Sequence, residues 1–447
     1  MKGDFSRDTF NRHKHFSRVL QQQGRVQLDA DTNEQTAILL HYLRTLAADL
    51  IGPYGGPVGG SFKISIENNG LKIGKGHYYV DGILCENDKD ITYTAQEDYP
   101  LLEEETRLPD KPYLVYLDVW ERHIAALEDD DIREKALGGS DTATRAKVVW
   151  QVKTQIESSN LDPKSLAENS FAGKDGLAEW KNWIELWQPK NRGCLKARVK
   201  PAEKSTEPCL IAPDAKYRGQ ENQLYRIEIH DSGTAGTNGQ KATFKWSKDN
   251  GSIVCRIVEF FGNELTVDKS HGFEAKNWVE LTNDEQELRG EPGSLVRLIK
   301  VEGDRFIFES DVSRPSGLVE KEKWPTKVRR WDQRECGDLK LNSGAVPITE
   351  AKANDGWIEI ENGIEIQFVE VSSDDVHRYR TGDYWLIPAR VATGDIEWPE
   401  DDDGEPRAQP PHGVQHHYAP LAVVKNADGT PPDLRCEFQP PECKETM

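Results

Sequence analysis

The side chains best suited to hold a metal ion lie near the end of the sequence. Imidazole and thiolate are ligand types that zinc prefers, and this region contains His412, His416, His417, Cys436 and Cys443. Their spacing, His-x3-His-His followed by Cys-x6-Cys, matches no regular zinc pattern. Packed and surface histidines beside a strand that enters a core explain the same residues. We predict no metal and no cofactor, and a ligand role for these five side chains stays open on the sequence alone.

Acidic residues beside tryptophans suggest glycan chemistry, because a glycosidase needs two carboxylates about 5 to 10 Å apart. Candidates of this kind are Asp118, Glu121, Asp383, Trp120 and Trp385. Asp118 and Trp120 share one face of a predicted strand, so ordinary sheet packing also accounts for them. With 77 Asp and Glu in the chain, an acid close to a tryptophan carries little information. We predict no catalytic residue among them.

The common signatures of nucleotide and hydrolase chemistry are absent from the sequence. It contains no Walker A loop, no HExxH and no GxSxG. The stretch Gly74-Lys75-Gly76-His77-Tyr78-Tyr79 begins like a dinucleotide-binding loop, but it lacks the third glycine and no helix follows it. We therefore predict that the chain is not an enzyme.

Composition narrows the possible partners. The 447 residues include 57 Lys and Arg against 77 Asp and Glu, a net charge of −20, which opposes duplex nucleic acid or an anionic membrane as a general partner. No run of 18 apolar residues predicts a membrane span, and the first residues do not resemble a signal peptide. Seven scattered cysteines without a CxxC predict free thiols in a reducing cytosol.

The clearest predicted helix covers residues 33–51. A capping box formed by Thr32 and Gln35 marks its start, and Gly52-Pro53 ends it. The glycine-rich residues 55–60 then predict a hinge or linker.

Four leucines give this helix one apolar face. Leu39, Leu43, Leu46 and Leu50 follow one another at spacings of 4, 3 and 4, which is the seam of a coiled coil or helix bundle. The face could pack on the protein's own β body, or it could dock against another subunit. The adjoining hinge favours docking, and we select these four leucines, with the basic-aromatic arm before them, as the partner-docking residues.

After residue 61 the pattern changes to strands and turns, and three hairpins can be registered. A two-residue Asn250-Gly251 turn predicts a hairpin over 244–257. A three-residue loop over 361–363, with a bulge at Gly363, pairs Ile358 with Ile366. A four-residue loop over 67–70 predicts a hairpin over 62–73. Further strands are predicted at 78–84, 113–120, 148–156, 195–199, 224–229, 295–301, 306–309 and 384–390.

The predicted fold class is mainly β, with an N-terminal helical arm followed by several small antiparallel barrels or sandwiches. A polar insertion, helical around 177–187, interrupts it. The predicted domains are residues 1–60 (arm and amphipathic helix), 61–160 (β domain), 161–190 (polar insertion), 191–345 (β domain) and 346–447 (C-terminal β domain).

The N-terminal sequence resembles the opening of a family of domains of unknown function found with phage-tail-like contractile injection systems. The resemblance rests on Gly3-Asp4-Phe5-Ser6-Arg7-Asp8-Thr9-Phe10 and on residues 19–35, with further matches at 78–87, 117–123, 382–390 and 416–422. Thr32 departs from the family pattern, where tryptophan is expected. The resemblance carries no catalytic residues to this chain.

What the resemblance implies is a structural or adaptor subunit of a contractile particle, near its baseplate or its terminal cap. Such particles are symmetric, so a homo-oligomer is expected, and the excess of acid would face a basic patch on a neighbouring subunit. We expect a cytoplasmic protein within an assembled particle, either released or docked at a membrane. The alternatives are a carbohydrate-binding or glycan-hydrolysing protein, and an effector that the particle carries.

Overall fold

The fold is known from a computed structural model. The structure describes residues 1–68, 70–110, 112–156, 174–188, 191–201, 216–235, 241–316, 318, 323–335, 339–352, 355–370, 376–425 and 431–439. Three α-helices lie in this part of the chain, α1 (Asp29–Ile51), α2 (Lys174–Trp187) and α3 (Asp284–Arg289).

Strands make up most of the regular structure, as predicted. In chain order they are β1 (Tyr54–Pro57), β2 (Ile64–Glu67), β3 (Gly70–Ile73), β4 (Gly76–Val80), β5 (Ile83–Asn87), β6 (Ile91–Thr92), β7 (Tyr113–Ile124), β8 (Arg145–Ile156), β9 (Leu195–Val199), β10 (Gln223–Ile229), β11 (Thr243–Ser247), β12 (Val254–Phe261), β13 (Glu264–Val267), β14 (Trp278–Thr282), β15 (Ser294–Glu302), β16 (Arg305–Phe308), β17 (Lys327–Trp331), β18 (Val346–Pro347), β19 (Glu350–Ala351), β20 (Ile358–Glu361), β21 (Ile364–Val369), β22 (Tyr384–Arg390), β23 (Asp395–Ile396), β24 (His417–Val424) and β25 (Glu437–Phe438).

These strands enclose three main apolar cores. The first body contains the sheets β25-β1-β4-β5, β2-β3-β6 and β24-β7-β8. The second body contains the sheet β18-β11-β10-β22-β23 and the sheet around β21, which pairs with β9, β19 and β20. The third core fills a closed six-stranded barrel, β12-β13-β16-β15-β14-β17. Several sheets join distant parts of the sequence, since β24 pairs with β7 and β21 pairs with β9.

Two of the three predicted hairpins form. Strands β2 and β3 pair in the predicted register, and their ladder extends one pair further into the loop. In the hairpin of β20 and β21, Ile358 faces Ile366 as predicted. However, Glu361 rather than Ile360 pairs with Ile364, so the turn has two residues and the bulge falls inside β20.

The third predicted hairpin, over residues 244–257, is wrong. Asn250 and Gly251 do have positive φ angles of 49° and 64°, as a type I′ turn requires. Yet β11 pairs with β10 and β18, while β12 enters the barrel. All five residues of β11 are buried, and packing in the second body therefore overrides the pairing that the local turn favours.

Both predicted helices form, with one correction to the capping box. Helix α1 begins at Asp29, and Leu28 provides no side-chain cap. The carboxylate of Asp29 instead accepts the backbone N–H of Ser6 at 2.9 Å. Helix α2 includes the predicted residues 177–187 and buries Trp180 and Trp183 in the first core. Most of the rest of the predicted insertion lies outside the described residues.

The predicted single strand at 78–84 is the turn of a hairpin, in which β4 and β5 meet at Asp81 and Gly82. Gly82 has φ +77°, and α1 crosses it so closely that an added Cβ would lie 2.0 Å from the carbonyl oxygen of Arg44. At this hairpin, therefore, the first body packs closely against the backbone of α1.

We expect Gly82→Ala to lower the free energy of unfolding by about 3 kcal/mol, because it combines left-handed strain with a backbone clash. The matched control is Gly138→Ala, with φ +74° and no heavy atom within 4 Å, which should cost about 1 kcal/mol. Chemical denaturation measures both effects, and hydrogen exchange along α1 shows whether the helix loosens. Equal effects at the two glycines would contradict this role of Gly82.

Candidate docking surface and buried ionic clusters

The four predicted docking leucines lie on the solvent side of α1 and do not pack on the protein's own β body. Leu39, Leu43, Leu46 and Leu50 are 54%, 63%, 57% and 78% exposed. The neighbouring Ile38 is buried and lines the cavity between α1 and the N-terminal arm. We call the surface of these four leucines the leucine face, and Leu40 and Tyr42 extend it with exposures of 41% and 52%.

The leucine face is almost free of charge. Between Gln35 and Ala48, helix α1 contains one Lys, Arg, Asp or Glu, which is Arg44. Arg44 turns toward the first body, where its two terminal nitrogens donate to both carboxylate oxygens of Glu121 at 2.7 and 3.1 Å. This bidentate pair holds α1 in position. Between Gln35 and Ala48, the helix therefore exposes an apolar stripe without acidic residues beside it.

The N-terminal arm runs beside this helix. Thr9 donates to the carboxylate of Glu34 at 2.7 Å, and the backbone N–H of Val19 donates to Gln35 at 2.8 Å. A small cavity of about 210 Å³ remains between arm residues 10–16 and α1. The arm is thus tied to the helix by a few hydrogen bonds and by the packing of Phe10 on the ring of His41, whose ring centres are 5.8 Å apart.

The first residues of the chain insert between the first body, the second body and the barrel. The amino group of Met1 donates to the hydroxyl of Tyr384 at 2.6 Å, and its carbonyl accepts from Arg226 at 3.1 Å. Asn250 donates to the carbonyl of Gly3 at 2.9 Å. Met1, Lys2 and Gly3 line a cavity of about 620 Å³ to which all three parts contribute.

A buried ionic cluster forms one wall of this cavity. Lys245 lies 2.6 Å from Glu280 and 3.4 Å from Glu228, and its ammonium group lies 4.4 Å from the centre of the Trp331 ring. Glu228 also accepts from Lys2 at 3.1 Å and from Arg226 at 2.6 Å. The cations of this cluster come from β10, β11 and the N-terminal segment. The cluster therefore joins elements that are far apart in sequence.

The cations of this cluster keep its carboxylates ionised. Burial by itself raises the pKa of Glu280, but Lys245, Lys2 and His230 outweigh it and lower the pKa to about 2. Burial and the ammonium of Lys245 lower the pKa of His230 to about 4, so its imidazole is neutral at pH 7. The carboxylate of Glu280 is thus stabilised in its ionised form by groups of the same chain.

A second cluster has the composition of a cation site. Carboxylate oxygens of Glu128, Asp284 and Glu287 lie within 4.8 Å of one another. Lys327 fills the space between them, with its ammonium nitrogen 2.6 Å from each residue. Burial lowers the pKa of Lys327, but the three carboxylates outweigh it and raise the pKa above its ordinary value. A protein cation thus takes the place that a metal ion could occupy.

The carboxylates considered for glycan chemistry are engaged in ion pairs. Buried Asp118 accepts from His416 and from Lys153, both at 2.7 Å. Asp383 is held by Arg192, and Glu121 by Arg44 as described above. The ring of Trp120 packs on His416, and Trp385 donates to a backbone carbonyl. These side chains bind one another across sheets and loops.

Two of the histidines considered as metal ligands take separate partners. His416 binds Asp118, and His417 binds Asp81 at 2.8 Å. Among the described residues no three of these histidines and cysteines come within ligand distance of one another. Cys443 lies outside the described residues.

The sequence interpretation missed both ionic clusters. A signal for the first cluster exists, because Arg226, Glu228 and Lys245 each stand between apolar neighbours within a predicted strand. Charges at such positions must be paired if the strand is buried. Their partners, Glu280 and Lys2, could not be identified, because they come from other parts of the chain.

The sequence model of a family of unknown function (DUF6519) matches residues 1–169 and 186–446. The chain therefore belongs to this family. No curated protein and no solved structure shows significant similarity to it. Among the described residues, no helix has the length and apolarity that a bilayer crossing requires.

Proposed function

We propose that this member of DUF6519 is a structural or adaptor subunit that acts through protein–protein assembly, with the leucine face as its docking surface. The observation that supports the proposal is the exposure of four leucines at heptad spacing on a helix that Arg44 and Gly82 hold against the first body. Large apolar surfaces of this kind mark interaction sites on soluble proteins.

The ion pairs of the buried acids agree with a structural role in an assembly. The buried acids described above are held by cations of the same chain, and the two ionic clusters join the barrel to the second body and to β7 and its following loop. These contacts keep three β units in one arrangement, which a subunit with a fixed place in a particle requires.

In its finer form, the proposal places the chain in a phage-tail-like contractile injection particle, near the baseplate or the terminal cap. The resemblance of the N-terminal sequence supports this setting. Mass spectrometry of purified particles should find the protein at a fixed ratio to the sheath, before and after contraction. Deleting residues 1–52 should abolish its incorporation. Absence from the particles, or loss together with the tube contents, would contradict the proposal.

The docking role is tested by Leu43→Asp/Leu46→Asp. Burying a leucine contributes about 2 kcal/mol, which corresponds to about 30-fold in Kd per side chain. We therefore expect the double variant to lose self-association in sedimentation velocity at concentrations where the unmodified chain assembles.

The matched control replaces two exposed apolar residues elsewhere, Leu137→Asp/Val391→Asp, whose side chains are 64% and 45% exposed. This variant should assemble normally. Circular dichroism and thermal unfolding should be unchanged in both variants. Equal assembly of the leucine variant and the unmodified chain would rule out the leucine face as the docking surface.

A further inference from the structure

The segment before α1 differs in charge from the rest of the chain. Residues 9–28, which we call the basic arm, contain Arg12, Lys14, Arg18 and Arg25 and no acidic residue. The whole chain carries a net charge of −20. The basic arm thus combines four cations with no acid over 20 residues, and it runs along α1, the helix that carries the leucine face.

Within the described residues, the contacts of the basic arm's cations are local: Arg12 donates to His13, and Lys14 lies over the ring of Phe16. All four are exposed, and within the described residues none of them has a carboxylate partner. Apolar side chains stand between them, with Phe16, Leu20 and Val26 exposed by 54%, 69% and 81%. The arm therefore presents both unpaired positive charge and apolar surface to a partner.

The acidic loop at residues 400–405 has the complementary charge. Five of its six residues are Asp or Glu, and all six are exposed. In the described part of the chain, the closest cation to this loop is Arg407, at 3.9 Å from Asp402. The carboxylate of Asp401 accepts the backbone N–H groups of Asp403 and Glu405, which keeps the loop folded while other carboxylates point to solvent.

One contact already connects the N-terminal segment to the region of this loop. Arg7, just before the basic arm, donates to both carboxylate oxygens of Glu397 at 2.8 and 2.9 Å. Glu397 lies between β23 and the acidic loop. Arg7 thus forms its ion pair within the same chain. The four cations of the basic arm follow it in a segment that runs beside α1.

We propose that the basic arm binds the acidic loop of a second copy of this chain in a head-to-tail contact. The proposal rests on the assembly function proposed above and names its partner. Two-fold pairing of leucine faces would place each arm along the partner's α1, where Arg44 is the one charged residue between Gln35 and Ala48. Residues 35–48 of that helix would offer the arm's cations no carboxylate. A head-to-tail contact pairs them, and such contacts close into rings or extend as filaments.

Charge exchange tests this contact. The arm variant carries Arg12→Glu, Lys14→Glu, Arg18→Glu and Arg25→Glu, and the loop variant carries Glu400→Lys, Asp402→Lys and Asp403→Lys, which spares the Asp401 side chain that folds the loop. Each variant alone should self-associate at least about tenfold more weakly than the unmodified chain, because several ion pairs are lost. An equimolar mixture of the two should recover association in sedimentation velocity.

A control variant reverses four exposed cations outside the arm and should assemble normally; its changes are Lys135→Glu, Lys276→Glu, Arg297→Glu and Lys340→Glu. Raising the salt from 50 mM to 500 mM should weaken the arm contact, since screening shortens the range of exposed charges. Normal self-association of the arm variant, or no recovery in the mixture, would overturn the proposal.

The outcomes separate this inference from the proposed function. If the arm variant assembles normally while Leu43→Asp/Leu46→Asp does not, the leucine face stands and the arm contact fails. If the arm variant instead loses binding to a DNA duplex or to anionic vesicles, with self-association unchanged, the arm serves another polyanion and the proposal is likewise overturned.

Discussion

Lys327→Met is expected to lower the free energy of unfolding by about 3 kcal/mol, because it removes the buried cation that three partly buried carboxylates share. Its ammonium group stands 2.6 Å from each of Glu128, Asp284 and Glu287. Without it, three carboxylates within 4.8 Å of one another repel each other in a partly buried site. Chemical denaturation of the variant and of the unmodified chain measures the loss.

The same variant should respond to divalent cations. Three carboxylates at this spacing supply oxygen ligands of the kind that Ca²⁺ and Mg²⁺ prefer, and a ligand that binds the folded state stabilises it. Millimolar Ca²⁺ should therefore raise the Tm of Lys327→Met and leave that of the unmodified chain unchanged. The control variant Lys327→Met/Glu287→Gln lacks one ligand and should respond less. If Ca²⁺ leaves the Tm of Lys327→Met unchanged, this account of the cluster is wrong.

Glu280→Gln is expected to lower the free energy of unfolding by about 3 kcal/mol or more. The reason is that Lys245 would keep its buried charge without its closest partner. Glu280 accepts from Lys245 at 2.6 Å, from the indole of Trp331 at 2.9 Å and from the backbone N–H of Gly293 at 3.1 Å. A matched control is Glu264→Gln, whose carboxylate pairs with Arg305 at the surface and should contribute less than about 1 kcal/mol.

The pH dependence of this effect has a definite sign. The pKa of Glu280 is about 2 in the folded chain against an ordinary value of about 4.3. A carboxylate with a lowered pKa stabilises the fold above its unfolded pKa, and this stability is lost as the pH falls toward the folded pKa. The difference in free energy of unfolding between Glu280→Gln and the unmodified chain, measured by chemical denaturation, should therefore be constant near pH 7. It should shrink between about pH 5 and pH 2. A difference that is independent of pH over this range would show that Glu280 is not stabilised as a carboxylate.

Local patterns were sufficient for many of the strands and for the helix, but they missed the turn at Asp81-Gly82 and predicted a hinge where β1 pairs in a sheet. Alternating apolar residues gave the register of β2 and β3, and the leucine spacing gave α1, because both depend on neighbours within a few residues. The predicted hairpin at Asn250-Gly251 failed for the opposite reason. Its turn has the predicted sign of φ, but the strands on either side gain more by pairing with distant partners than with each other.

The sequence by itself determined the mainly β class, the helix with its four leucines, the excess of acid and the basic segment before the helix. Each of these follows from composition or short-range periodicity. The tertiary structure decided which side of α1 is free, because that depends on where Gly82 and Glu121 approach the helix. It also decided which buried charges neutralise one another, since Lys245 meets Glu280, and Lys327 meets Glu128, only when separate sheets pack together.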